Sequence, residues 1–172
     1  MDCDLRTFIS LPKIEPVDLR ILGAVQRDGR ISNVELSLEV GLSPAPCWRR
    51  LKRLEAQKFI LGYQANLDRK MLGYSVCAYV FLEVSTHAEH ELKLLERALM
   101  SRPEVVALHT VTGKFDVVLQ VVTSTMDDYV DFIDGVVRHM PRVSNFYSSL
   151  VLRELRGQGF MPLVREFPNP CT

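Results

Sequence analysis

A chain of 172 residues, 47% hydrophobic and 24% charged, is long enough for one medium domain or two small ones and too apolar for wholesale disorder. Its 21 Lys and Arg balance 21 Asp and Glu, so bulk charge alone does not announce a polyanionic partner. The balance is uneven along the chain: residues 1–70 hold twelve cations against nine carboxylates (+3) and residues 71–172 hold the reverse (−3), which suits a nucleic-acid-binding first half.

Residues 1–13 show no periodic pattern and are left as an N-terminal extension. A first helix is predicted over residues 16–26, with Val17, Ile21 and Val25 on one face. The next segment is ambiguous. Val34, Leu36, Leu38 and Val40 alternate as in a strand, but Ser32-Asn33-Val34-Glu35 is a capping box and Gly41 is a natural helix stop. The end signals outweigh the alternation, so a short helix is predicted.

A third helix opens at Ser43, with Ser43 as its cap, Pro44 at the first helical position and Pro46 still inside the first turn, where no helical donor is lost. Cys47, Leu51 and Leu54 make a stripe to bury, and Arg49, Arg50, Lys52 and Arg53 place four cations in five positions. Two helices joined by a few residues including Gly, the second one basic, read as a helix-turn-helix whose second helix enters a major groove. Ser32, Asn33, Ser43, Pro44, Ala45, Pro46, Trp48, Arg49, Arg50, Lys52 and Arg53 are the candidate DNA contacts. Ala45, Pro46, Trp48 and Arg49 fall where base edges are met; Lys52 and Arg53 fall where phosphates are. Trp48 has an equal alternative as a half-buried anchor, and Cys47 reads as core rather than redox sensor.

From Tyr74 the pattern becomes strand-like. Tyr74, Val76, Ala78, Val80, Leu82 and Val84 share one face, while Ser75, Cys77, Tyr79, Phe81 and Glu83 share the other. A helix with Leu92, Leu95 and Leu99 on one stripe stops before Pro103. Strands follow near residues 105–112 and 115–123, joined around Gly113 and Lys114. A second helix over 126–140 is capped by Thr125 with Asp128 three on and ends at Pro141; a last strand covers about 143–152. The order β-α-β-β-α-β is the ferredoxin-like arrangement, and the echo between MSRPEV (100–105) and RHMPRV (138–143) supports two similar halves. Two helices cover one face of such a sheet. The other carries Tyr79, Phe81 and about half of Val117, Val118, Leu119, Val121 and Val122, an apolar patch that predicts a homodimer.

Cys3, Cys47, Cys77 and Cys171 form no CxxC pair and the four histidines show no ligand spacing, so no metal site is expected; His109 reads as a half-buried strand residue. An acidic start without an apolar segment, and no run long enough to cross a bilayer, lead to the expectation of a cytoplasmic, nucleoid-associated protein with no membrane role. No nucleophile-and-base set or phosphate-cradling Gly loop is found, and no enzyme is expected. Residues 157–172, with Gly157, Gly159, Pro162, Pro168 and Pro170, form a tail of undecided role.

The chain resembles the Lrp/AsnC (leucine-responsive, feast/famine) family of transcriptional regulators from residue 14 to 156. The most specific stretches are DGRISNVEL (28–36), GLSPAPC (41–47), RRLKRLE (49–55) and TGKFD (112–116). The resemblance implies an α+β chain: a winged-type helix-turn-helix (14–60), a linker strand (61–73) and a ferredoxin-like βαββαβ domain (74–156) for effector binding and oligomerisation. It implies dimers that assemble into tetramers or octamers, double-stranded DNA as partner, no cofactor, and a small effector, an amino acid, bound in clefts between dimers. The positions matching the effector region are Gly113, Lys114, Phe115, Asp116, Met126, Ser149, Leu150 and Val151. Turn amides suit a carboxylate and Asp116 suits an α-ammonium, although an Asp after a Gly-Lys turn also caps backbone. Val117 stands where many relatives have an aromatic, Ser149 where some are bulkier, and Trp48 where an aliphatic is common. Two alternatives accompany the family: a haem-biosynthesis decarboxylase on the same two domains, and an architectural protein that compacts DNA with little sequence preference.

Overall fold

The computed structural model describes residues 14–85, 88–155 and 161–163. They form two compact units that divide between Asn66 and Leu67, with residues 161–163 belonging to the first.

The first unit is three helices: α1 (Pro16–Arg27), α2 (Asn33–Val40) and α3 (Pro44–Ala56). Ile21, Ala24, Leu36, Val40, Cys47 and Leu54 make its core. The strand-like alternation in α2 is resolved by helical geometry. Leu36 and Val40, four apart, are buried, while Val34 and Leu38 are 58% and 76% exposed. The capping box forms as read: Ser32 Oγ accepts from the Glu35 N–H and the Glu35 carboxylate accepts from the Ser32 N–H. These bonds hold the Glu35 carboxyl below the ordinary range, the Ser32 hydroxyl contributing most. Gly41 ends α2 in the left-handed region (φ 72°), where a side chain is strained.

The second unit is a four-stranded antiparallel sheet of β1 (Val76–Val84), β2 (Val105–Thr110), β3 (Val117–Thr123) and β4 (Val143–Leu150), in the order β2-β3-β1-β4. Helices α4 (Glu89–Met100) and α5 (Met126–Gly135) pack on one face. Between them and the sheet lie Ala78, Val80, Leu82, Leu95, Leu99, Val117, Leu119, Val121, Tyr129, Phe132 and Ile133. The order β-α-β-β-α-β and the pairing of β1 with both β3 and β4 make this the ferredoxin-like arrangement read from the pattern. On the second face, register places Val118 and Tyr147 on either side of Phe81, and Gln120 and Ser149 on either side of Tyr79.

The structure departs from the sequence reading at several points. The strand predicted from Tyr74 begins at Val76, because the Tyr74 and Ser75 carbonyls accept from Arg69 rather than from a ladder. The helix predicted to Met140 stops at Gly135 and tightens into a 3₁₀ turn at Val137–His139. Gly135 weakens the helix, and the tighter coil accompanies complete burial of Val137. Residues 61–68 lie in no helix or strand, and 69–73 form turns closed by bonds such as Tyr74 N–H to Arg69 C=O. A strand exists only through a pairing ladder, and this segment finds none among the described residues. His109 is exposed on the edge strand β2 rather than half-buried. Of the tail, only residues 161–163 are described: the Gln26 amide donates to the Met161 C=O and accepts from its N–H, both at 3.0 Å. The N-terminal extension and the rest of the tail lie outside the described residues.

Leu119 is fully buried at the middle of β3. Leu119→Ala is expected to destabilise the sheet unit by about 2–5 kcal/mol in urea unfolding, since the transfer loss is compounded by an unfilled cavity. A cost below about 1 kcal/mol would mean that the sheet core repacks freely.

Candidate DNA interface and effector region

Helix α3 presents the basic surface, and its own sequence sets which way it faces. Cys47 and Leu54 are buried and Leu51 half-buried, so the stripe points into the three-helix core. Burial pushes the Cys47 thiol up, in line with a core role. Ala45, Trp48, Arg49 and Lys52 therefore face outward. Trp48 is 51% exposed, which leaves about half of a large apolar side chain at the solvent side. Ser43 occupies the cap position, but its hydroxyl caps nothing. Of the two N–H groups a cap hydroxyl can accept from, second and third in the helix, the third is missing because Pro46 has none. Pro44 and Pro46 lie in this first turn, exposed and half-buried respectively.

The four cations are not equivalent. Arg50 Nη1 lies 3.1 Å from Asp18 Oδ1 and its Nη2 3.0 Å from Glu15 Oε2; Arg53 Nη2 lies 2.6 Å from Asp18 Oδ2. The hydrogen bonds that Arg50 donates to Glu15 and Asp18 raise its pKa above the ordinary value. Both guanidiniums are thus turned toward α1, so Arg53, expected at a phosphate, and Arg50, a candidate DNA contact, already hold carboxylate partners within the chain. A buried carboxylate has to be paired, and they are the cations within reach. Lys52 pairs with Glu55 at 2.7 Å. That pair is exposed, three residues apart and in the less favourable Lys-before-Glu order, so it gives way at little cost. Arg49 is exposed and makes no ion pair among the described residues. Arg49, Arg50, Arg53 and Pro46 line a shallow concavity of about 310 Å³. Ser32 is exposed but occupied by its capping box, and the Asn33 amide donates to the Pro44 C=O at 3.0 Å, tying α2 to the start of α3.

In the sheet unit the effector-region residues fall into two groups. Gly113 (φ 113°) and Lys114 are exposed in the β2–β3 turn. Phe115 folds back between Phe81 and Tyr147, with ring centroids 5.2 and 5.3 Å away, and Lys114 Nζ stands 4.5 Å from the Tyr147 ring centre. Asp116 Oδ2 accepts from the Val84 N–H at 2.8 Å, and the Asp116 N–H donates to the Leu82 C=O. The partner is the bulge at Glu83/Val84 rather than the turn's own backbone. A cavity of about 210 Å³ opens beside it, lined by Val84, Leu92, Leu95, Glu96, Thr110, Val111, Asp116 and Val117. Met126, exposed at the start of α5, and Ser149, Leu150 and Val151 stand at the opposite end of β1. Ser149 is paired with Tyr79, Leu150 with Ala78, and the Val151 N–H bonds to the Cys77 C=O. From Leu82 to Cys77 is five residues of strand, roughly 17 Å, so one chain does not bring the groups together. Glu15, Asp18, Tyr147 and Glu96 were not picked out from the sequence. Asp18 carries a signal in retrospect, an acid falling on the apolar face of α1, but Tyr147 and Glu96 reach their places only through strand and helix packing.

A basic helix-turn-helix beside a separate ferredoxin-like unit defines a DNA-binding protein with a ligand-binding domain. Residues 14–60 match the winged helix-turn-helix DNA-binding family and residues 77–159 the Lrp/AsnC ligand binding domain. The leucine-responsive regulatory proteins of Haemophilus influenzae and Escherichia coli K12 are 31% and 35% identical over 150 and 143 residues. These spans cover 87% and 83% of this chain and 90% and 87% of those proteins. A Neisseria meningitidis transcriptional regulator solved with L-Met superposes with a TM-score of 0.83 at 30% identity, over 88% of this chain and 97% of that one. The chain belongs to the Lrp/AsnC family of DNA-binding transcriptional regulators, and it is no enzyme.

With Arg50 and Arg53 turned inward, the outward cations separate by role. Lys52→Ala is expected to weaken binding to all duplexes alike and lower the salt slope by about one unit. Arg49→Ala should relax base preference, at a cost of about 1–3 kcal/mol for a bidentate contact. Filter binding or anisotropy across salt concentrations checks both; an unchanged slope for Lys52→Ala removes it from the phosphate contacts.

Proposed function

We propose that the chain reads a specific, pseudo-palindromic DNA site as a dimer or higher assembly and that a free amino acid, bound at the Gly113–Asp116 turn, shifts its assembly or DNA affinity. The observation that carries the reading is the separation of the effector-region residues into two groups about 17 Å apart on β1. A ligand small enough for the turn reaches the second group only from another copy of the chain. Chemistry beside the turn suits an amino acid: exposed backbone amides for a carboxylate, the Asp116 and Glu96 carboxylates for an ammonium, and apolar walls from Leu92, Leu95 and Val111 beside them. The similar Neisseria meningitidis regulator was solved with L-Met, which makes apolar amino acids the first to try. A coupling of about 1–3 kcal/mol between effector and DNA would change affinity roughly 5–150-fold.

The dimer follows from the second face of the sheet. Tyr79, Phe81, Val118 and Tyr147 share it, and among the described residues no helix packs there. Pairing that face with its copy removes it from water and gives two recognition helices for successive major grooves.

Two measurements test the reading. In a thermal-shift screen of the twenty amino acids, at least one is expected to raise the melting temperature; at one hundred times its Kd it adds about 2.7 kcal/mol to stability. No shift with any of them would overturn the amino-acid assignment. Sedimentation at micromolar concentration should show a dimer or larger, and a stable monomer would overturn the pairing of sheets. Site-specific regulation over mere DNA compaction requires a preference for its site over random duplex of about 10³ or more at physiological salt.

A further inference from the structure

Helix α3 carries its cations on two sides, and only one side is free. Asp18, fully buried on α1, accepts from three donors: Arg50 Nη1, Arg53 Nη2 and the Glu15 N–H. Glu15 adds a second carboxylate to Arg50. Arg50 and Arg53 are themselves 28% and 41% exposed at the side chain. They sit at the boundary, with hydrogen-bonding edges directed to Asp18 and flanks lining the concavity shared with Arg49 and Pro46. An open hollow with three guanidiniums is chemically a seat for a DNA backbone phosphate. At two of the three positions, a carboxylate already takes the place that a phosphate would have.

This arrangement has a consequence for selectivity. Cations that meet phosphates raise affinity for every sequence alike, and each phosphate neutralised on B-DNA adds about 0.9 to the salt slope. The useful quantity for a regulator among many competing sites is the ratio of specific to random binding. Arginines held by a buried acid contribute nothing to the random term. A helix with four free cations would contribute to it four times over.

We propose that Asp18 is a specificity-determining residue for DNA binding: it withholds Arg50 and Arg53 from the backbone phosphates and so keeps sequence-independent affinity low. Asp18 itself touches no DNA; it is a positioning residue acting through the two arginines. The proposal rests on α3 being the DNA-facing helix.

The test uses the full chain and a random-sequence duplex of fixed length, titrated from about 50 to 300 mM salt. Asp18→Asn keeps the shape and one acceptor but removes the charge. The variant, confirmed folded by circular dichroism, is expected to bind random duplex roughly tenfold or more tightly at 0.1 M salt, with a slope steeper by about two units. Adding Arg50→Gln and Arg53→Gln should restore the wild-type slope, which a purely structural role for Asp18 does not require. An Asp18→Asn protein that melts lower but keeps the wild-type slope would overturn the proposal. Should Asp18→Asn fail to fold, Arg53→Gln in the wild-type background decides. An unchanged slope on random duplex supports the withholding, and a loss of about one unit shows Arg53 already on a phosphate and overturns it. Wild-type protein that binds no duplex at low salt would overturn the DNA-facing assignment of α3 itself, a failure distinct from a wild type that binds with an unaltered variant slope.

Discussion

A carboxylate taken fully out of water must find its cations, and at Asp18 this requirement organises the DNA-binding unit. Burial of an unpaired charge costs far more than a small three-helix core returns. Asp18 therefore draws Arg50 and Arg53 across from α3 and reinforces the rotation that the apolar stripe of that helix sets against α1. Once that rotation is set, the stripe of Cys47 and Leu54 is inward, and Trp48, Arg49 and Lys52 are what remains to meet a duplex. The same ion cluster reduces the apparent charge of the helix from four cations to an exposed arginine and a weakly paired lysine. A count of basic residues overstates what the surface offers.

The sheet unit is governed by a different constraint, the one-sided cover that two helices give to four strands. The covered face holds the unit's hydrophobic core, and the apolar residues packed there account for its stability. The other face is half-buried and aromatic, and the β2–β3 turn reaches round to it. Phe115 lies between Phe81 and Tyr147 with Lys114 above, so the turn is braced against the sheet rather than left loose. Asp116 meanwhile holds the bulge in β1 through the Val84 N–H. With one oxygen in that bond, it can meet a ligand ammonium through the other. A change in the turn therefore reaches both β1 and the open face, the two places through which a second copy of the chain would sense it.

Elements were legible wherever their signals are local. Ser32 and Glu35 sit three apart and close a capping box whatever surrounds them; Gly41 takes a backbone conformation that side chains avoid; the period of two in residues 76–84 survives because both faces of that strand are apolar in different ways. The reading failed where an interaction partner is distant in sequence. Residues 61–73 match the linker strand that the family resemblance implies, and they find no strand to pair with among the described residues. The second domain's last helix loses its final turn because Val137 is buried in a core assembled from every other element of that unit.

The amino-acid sequence by itself determined the two-part plan, the helix-turn-helix, the order of strands and helices, and the family, because caps, periodicities and short motifs act over three or four residues. Tertiary structure alone decided which cations are free, where Asp116 spends one of its oxygens, and that the effector-region residues lie at two ends of one strand. Those outcomes depend on pairings over 30 or more residues, Asp18 with Arg50 and Val84 with Asp116 among them. Chain separation of that kind leaves no local pattern to read; the partners meet only when the core has closed.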